Sequence, residues 1–294
     1  MSLLTLPRLR SRTSEASATA NVPMTKDEAE GYGVGERDTR GPAAGGSSSG
    51  VQVEGVRRVV GTGRDQVVVL DGIDLHVAAG EFVCVLGASG CGKSTLLNLI
   101  AGLDRPDAGQ VSAPGQPALM FQDSALFPWL SASANVELAL RLRGVPRSAR
   151  RDQARDLLER VHLGAVVDRR AHELSGGQRQ RVAMARSLAQ GASVLLMDEP
   201  FAALDAITRD LLHAELISLW QDSGISVIFV THNVREAVRL GQRIVLLSSR
   251  PGRVVGEWSV DLPQPRAIED AGVGRLSRQI TARLREEITR HAVA

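Results

Sequence analysis

The chain has 294 residues, 43% hydrophobic and 23% charged, a composition suited to one or two globular domains with a sizeable core. A formal net charge of +2 is too small to make nucleic acid the main partner. Two cysteines, Cys84 and Cys91, do not make a disulfide framework, so a reducing cytosol is the expected compartment. No apolar run approaches the ~18 residues of a membrane span, and the opening residues lack the basic-then-apolar order of a secretory leader. The expectation is a soluble chain that reaches any membrane through a partner.

Residues 1–50 contain "GERDTRGPAAGGSSSG" and few large apolar groups, which predicts a disordered segment unable to offset its ordering entropy. From Val51 the pattern changes. "QVVVLDGIDLHV" and "EFVCVL" read as strands separated by the turn-like "AAGE". After a glycine-rich loop, Leu96, Leu97, Leu99, Ile100 and Leu103 form a helical apolar face that stops near Asp104-Arg105-Pro106. The stretch 131–190 is mostly helical and is expected to be an inserted helical subdomain. Then come the strand "VLLMD", the helix "DLLHAELISLWQDSG", the strand "ISVIFVTH", a short helix and the strand "RIVLLS". Apolar strands alternating with helices imply an α/β fold around a parallel sheet covered on both faces. Leu276, Ile280, Leu284 and Ile288 recur every fourth residue and predict an amphipathic helix packed on the domain. The expected division is 1–50, a folded domain over 51–260, and a helical extension over 261–294.

The chemistry starts at "GASGCGKST", residues 87–95: Gly87, Ala88, Ser89, Gly90, Cys91, Gly92, Lys93, Ser94 and Thr95. The spacing is G-x-x-x-x-G-K-[ST] between a strand and a helix. Glycines let successive amides turn towards phosphate oxygens, and the following helix adds its positive end. In this pattern Lys93 reaches the β- and γ-phosphates and the Ser94 hydroxyl holds Mg²⁺. The chain has only two lysines, Lys26 and Lys93, and uses arginine everywhere else. A compact ammonium is thus kept for the one structured place where a planar guanidinium would not fit.

The strand "VLLMD" delivers two carboxylates to the sheet edge where ligands bind in open α/β folds. Asp198 is expected in the Mg²⁺ shell and Glu199 as the base that polarises the attacking water. His232 ends another apolar strand. It is either a hydrogen-bonded structural residue or a γ-phosphate contact, and its shared edge with Glu199 favours the second. Gln122, after the apolar "ALMF", is open between the same two roles.

"LSGGQ", residues 174–178, is a second glycine-rich turn that opens a helix without a nucleotide loop of its own. Ser175 and Gln178 have capping-box spacing, so an ordinary helix start is one reading. Gly176 and Gly177 in the first turn count against it, since each lowers helix propensity by about 1 kcal/mol. Close backbone approach to an anion would use them. Twofold pairing resolves the puzzle: two copies meet head-to-tail, and each signature turn closes over the nucleotide held by its partner.

These motifs resemble the ATP-binding-cassette (ABC) ATPases over residues 53–260. The phosphate loop, Gln122, "LSGGQ", "VLLMDEP", "ALD" at 203–205 and His232 stand in that family's order. The resemblance implies a RecA-like P-loop NTPase core with an antiparallel β subdomain and the helical insert, binding ATP and Mg²⁺. It also implies that Gln122 senses magnesium, water and the membrane partner, and that Asp205 couples the two sites of a dimer. A closer similarity, to importer ATPases for nitrate, sulfonates and taurine, rests on "FQDSALFPWLSASANVELAL", "DEPFAALDAITR", "SSRPGRVV" and "DLPQPR". It implies a peripheral subunit on the cytoplasmic face of the membrane, driving permease subunits that receive cargo from a solute-binding protein, with no nucleic acid involved. Sulfonates or taurine are favoured over nitrate. Phe127 and Trp129 either pack in the helical subdomain or line the groove for a permease helix, and the chain's 3% aromatic content favours the groove. The rival readings are an exporter ATPase or a translation or repair ATPase. Those last forms usually carry two cassettes or a long coiled-coil insert, unlike this chain. One departure stands out: the family's adenine-stacking aromatic is missing, since no aromatic lies between Tyr32 and Phe82 and Val60 takes the position.

Overall fold

The computed structural model describes residues 50–292; the expected disordered segment before them lies outside the described residues. Two strands, β1 (Val51–Val60) and β2 (Val67–Val77), open the fold as an antiparallel pair. β3 (Phe82–Leu86) and α1 (Lys93–Ile100) follow. β4 (Ala108–Ser112) then returns to the free edge of β1, giving a three-stranded front sheet of order β2-β1-β4. Next come β5 (Ala118–Met120) and the helices α2 (Ala132–Leu142), α3 (Arg147–Arg160) and α4 (Gly176–Ala189). The chain ends through β6 (Val194–Asp198), α5 (Ala206–Ser223), β7 (Ser226–Thr231), α6 (Val234–Leu240), β8 (Arg243–Leu247), β9 (Val254–Ser259) and α7 (Ala271–Ala292).

The main sheet has the order β5-β6-β7-β3-β8-β9. Its strands are parallel except β9, which pairs antiparallel with β8 at one edge. Both faces are covered, and the strands are therefore apolar along their whole length rather than alternating. In β3, Phe82, Cys84 and Leu86 join one buried cluster while Val83 and Val85 join the other. The second cluster takes in α1 and the front sheet, through Leu96, Leu97 and Ile73. The first includes Val136, Leu140, Leu158 and Val182, so the helical insert shares its apolar cluster with the sheet.

The spacing of α7 drifts from expectation. Ile280 is buried, but Ile288 is 45% exposed, and Val273, Ser277 and Glu287 take the inner side. Steps of four residues overrun the 3.6-residue turn by about 40° each, so the fourth member has rotated off the face that Leu276 begins.

A clamp not foreseen in the sequence joins this C-terminal region to the end of α6. Arg266 is buried, and its guanidinium donates to the carbonyls of Val238, Gly241, Val260 and Leu262. Burial pulls its pKa below the ordinary arginine value. Arg266→Ala should cost about 3 kcal/mol or more, because several buried carbonyls lose their donor at once. A thermal melt should show a fall of roughly 6–12 °C, and an unchanged midpoint would remove the clamp's importance.

Candidate functional site

The register of the main sheet brings the carboxyl ends of β6, β7 and β3 level. Asp198 is paired with Val230, and Leu86 with Thr231. The phosphate loop after β3, the carboxylates after β6 and His232 after β7 therefore emerge at one edge, as ligand sites do in open α/β sheets.

In the loop, Gly92 caps α1 with φ +103°, a left-handed conformation that side chains avoid. A Cβ there would also lie 2.6 Å from Leu70 Cδ2. Ala88, Ser89 and Gly90 form the outer turn, Gly87 and Cys91 are buried beneath it, and Thr95 is half-buried in the first turn of α1. Burial raises the Cys91 thiol above its ordinary value, which leaves it neutral and a poor nucleophile. Lys93 is buried, and its Nζ donates to the carbonyls of Gly87 and Ala88 at 3.0 Å each. The same ammonium stands 3.9 Å from Glu199.

Asp198 is half-buried, and the Ser94 hydroxyl beside it favours its charged form. Desolvation by burial raises its carboxyl pKa, and the Glu199 charge adds to the rise, against the pull of Ser94 and Lys93. Two hard oxygen donors held together, one of them short of solvation, fit a magnesium ion. Among the described residues no group of three or more His, Cys, Asp or Glu could hold a metal by itself.

Glu199 has φ +44°, unusual for a residue with a side chain and worth about 1–3 kcal/mol of strain. The geometry is held by its N–H donating to the Val230 carbonyl at 3.0 Å and its carbonyl accepting from Ala202 at 3.2 Å. This turn aims Oε2 at His232 Nδ1, 2.7 Å away. His232 is 63% exposed, so it is not a core histidine; its ring reaches from the sheet edge to the carboxylate.

Gln122 is exposed after β5, and its carbonyl accepts from the buried side chain of Gln180 on α4. Arg186, one helix face further along α4, donates to the carbonyls of Ser124 and Ala125. The Gln122 segment is thus pinned to the helix that the signature turn begins. Asn135, fully buried, accepts from the Phe127 N–H at 2.9 Å and donates to the carbonyls of Phe127 and Ser131. The aromatic turn it holds faces outward: Trp129 is 69% and Phe127 38% exposed, with ring centres 5.5 Å apart. Core packing is excluded for Trp129. Gln180, Arg186 and Asn135 were not singled out from sequence; the signal available was a polar residue on an otherwise apolar helix face.

The signature turn has its capping box. Ser175 Oγ accepts from the Gln178 N–H, and Gln178 Oε1 accepts from the Ser175 N–H. Gly177 proves to have a packing role within the chain: a Cβ there would lie 2.5 Å from Thr208 Cγ2 on α5. Gly176 is different, with only Leu204 Cδ2 and Arg179 Nη2 near its Cβ position, at 3.6 and 4.0 Å. Asp205 caps α5 through the Thr208 N–H, which holds its carboxyl below the usual range. Among the described residues no hydrogen bond or ion pair joins residues 175–178 or Asp205 to the phosphate loop. The two glycine-rich turns are separate parts of one chain.

The comparisons with known proteins agree with this arrangement. The pattern of the family described as ABC transporter matches residues 70–202. The taurine import ATP-binding protein TauB of Burkholderia pseudomallei is 47% identical over 206 residues, covering 67% of this chain and 79% of that protein. The nitrate import ATP-binding protein NrtD of a Synechocystis species is 46% identical over 221 residues, covering 72% and 83%. Among solved structures, the dimeric post-hydrolysis state of the ATP-binding cassette MJ0796 bound to ADP and Pi superposes with a TM-score of 0.65. It has 32% identity and covers 72% of this chain and all of that one. With relatives of this identity and coverage, a chain that carries a phosphate loop, strand-end carboxylates and a helix-opening signature turn on a P-loop NTPase core belongs to the ABC transporter family, as an ATP-binding ATPase cassette.

Proposed function

We propose that the chain is the ATP-hydrolysing subunit of an importer, acting as a head-to-tail pair that closes on two ATP molecules with Mg²⁺. The observation that carries the reading is the convergence of Lys93, Glu199 and His232 at one sheet edge, with Asp198 next to Glu199 at the end of β6. Lys93 exchanges its loop carbonyls for phosphate oxygens. Ser94 and Asp198, with Gln122 from the neighbouring loop, would hold a magnesium ion, which would supply positive charge against the phosphates. Glu199 accepts the proton of the water that attacks the γ-phosphate, and the products are ADP and inorganic phosphate. His232 keeps the Glu199 carboxylate aimed and offers its other ring nitrogen towards the γ-phosphate. Ser175, Gly176, Gly177 and Gln178 of the second copy close over that phosphate, with Asp205 at the seam between the two sites.

Taurine, other aliphatic sulfonates or nitrate are the proposed cargo, on the strength of the importer relatives. Among the described residues no helix is long and apolar enough to cross a membrane. On the importer reading, the subunit sits on the cytoplasmic face against permease subunits, which receive cargo from a solute-binding protein. The exposed pair Phe127 and Trp129 is the docking knob. Purified chain should hydrolyse ATP, and cells lacking it should lose uptake of labelled taurine or nitrate. Trp129→Ala should keep the purified ATPase rate within about twofold, since the ring is exposed and makes no contact with the catalytic groups, yet fail to restore uptake. Full uptake with this variant would move the docking surface elsewhere.

A further inference from the structure

The connection between β8 and β9, "SSRPGR" at 248–253, runs beside the phosphate loop. It is a closed, pinned strap. Ser248 N–H donates to the Arg253 carbonyl, Arg253 N–H returns to Ser248 Oγ, and Ser248 Oγ donates to the Pro251 carbonyl. Gly252 docks it on β2: its N–H donates to the Val69 carbonyl at 2.8 Å and its carbonyl accepts from Asp71 at 3.0 Å. A Cβ on Gly252 would lie 2.3 Å from the Cys91 carbonyl oxygen. Cβ positions on Gly252 and on Gly92 of the phosphate loop both lie against Val69 and Leu70 of β2. Loop, strap and front sheet therefore touch at one point, and only glycines let them do so.

Arg250 projects from this strap. Its side chain is exposed, and its Nε and Nη2 reach the Gly90 carbonyl at 3.4 and 3.3 Å, long for such bonds. Among the described residues it has no carboxylate partner, whereas its neighbour Arg253 is paired with Asp71. A cation so loosely held at the rim of a phosphate loop is free to turn towards a nucleotide.

Sheet order says which end of the nucleotide lies there. Glu199 and His232 follow β6 and β7, on one side of β3, while the strap follows β8 on the other. The γ-phosphate must face the catalytic pair, so the ribose and base extend to the strap's side, over the front sheet. Among the described residues of β1 and β2, that wall offers no phenylalanine, tyrosine or tryptophan ring. Val69 holds the strap, and Val67, two residues along β2, is the partner of Val60 on β1. A guanidinium is planar and stacks on a π face, which an ammonium does less well.

Resting on the ATP-binding reading above, we propose that Arg250 stacks on the nucleobase, supplying from the β8–β9 strap the contact that a missing aromatic would otherwise make. The test is calorimetric titration of wild type, Arg250→Ala and Arg250→Lys with ATP, and with tripolyphosphate as the base-free probe. Arg250→Ala should weaken ATP binding roughly three- to thirtyfold and leave tripolyphosphate binding unchanged. Arg250→Lys should recover only a minor part of the loss, because it restores charge without a plane. Nucleotide-free melts should coincide for the three proteins, since the side chain is exposed. Unchanged ATP affinity in Arg250→Ala overturns the proposal. So does a parallel loss of tripolyphosphate binding, or full rescue by lysine, either of which would assign the guanidinium to phosphate. Failure of the ATP-binding reading itself looks different: the wild type would then not bind ATP.

Discussion

Glu199→Gln should lower steady-state ATP hydrolysis by about 10²–10⁴-fold while leaving ATP binding nearly intact. The amide has the carboxylate's shape, so it preserves the turn at φ +44° and offers an oxygen or N–H to His232, 2.7 Å away in the wild type. What it lacks is the ability to take the proton of the attacking water. Lys93, Ser94 and Asp198, to which phosphate and magnesium binding is assigned under the proposal, are untouched. ATP held without turnover should keep two copies together, so size-exclusion chromatography should show a dimer with ATP and a monomer without it. Hydrolysis at near wild-type rate would take the base role away from Glu199.

A comparably large effect is expected when two inactive variants are mixed. Lys93→Ala removes the ammonium from the phosphate loop. Gly176→Asp puts a negative charge at the signature turn, where phosphate is to lie, and does so with no atom closer than 3.6 Å to the new Cβ. Gly177 is the wrong choice, because its Cβ would meet Thr208 at 2.5 Å and confound packing with function. Each variant alone should lose nearly all activity. In a mixed dimer one intact phosphate loop faces one intact signature. Equal mixing should therefore recover up to about a quarter of wild-type activity, half the dimers being mixed with one working site of two. No recovery, with mixed dimers demonstrated by differential tagging, would contradict head-to-tail pairing.

Local sequence carries what depends on a few consecutive residues. "GASGCGKST" specifies a loop because glycines, lysine and hydroxyls act within one turn, and "LSGGQ" specifies a capped helix start because Ser175 and Gln178 bond each other. Apolar runs such as "SVIFVT" announce strands buried on both faces, which is why the parallel core was legible before any coordinates. The period-four stripe of α7 was legible only in part, since Ile288 turns outward as the helix rotates.

The sheet-and-helix alternation, the glycine-rich loop and the strand-end carboxylates are thus readable from neighbouring residues. The remaining features arise only once distant segments pack. The aim of Glu199 at His232 depends on the register of β6 against β7 and on a strained backbone angle, neither of which has a local signature. Gly177, read from sequence as an anion contact, has a packing reason of its own, because Thr208 approaches from a separate helix. Arg266 on four carbonyls and Arg250 at Gly90 are meetings of residues far apart in the chain, the second across 160 positions. Nothing around an arginine in sequence distinguishes a solvated side chain from a buried clamp or a nucleotide contact. The difference lies in which strands the sheet sets side by side, and that follows from the packing of the whole core.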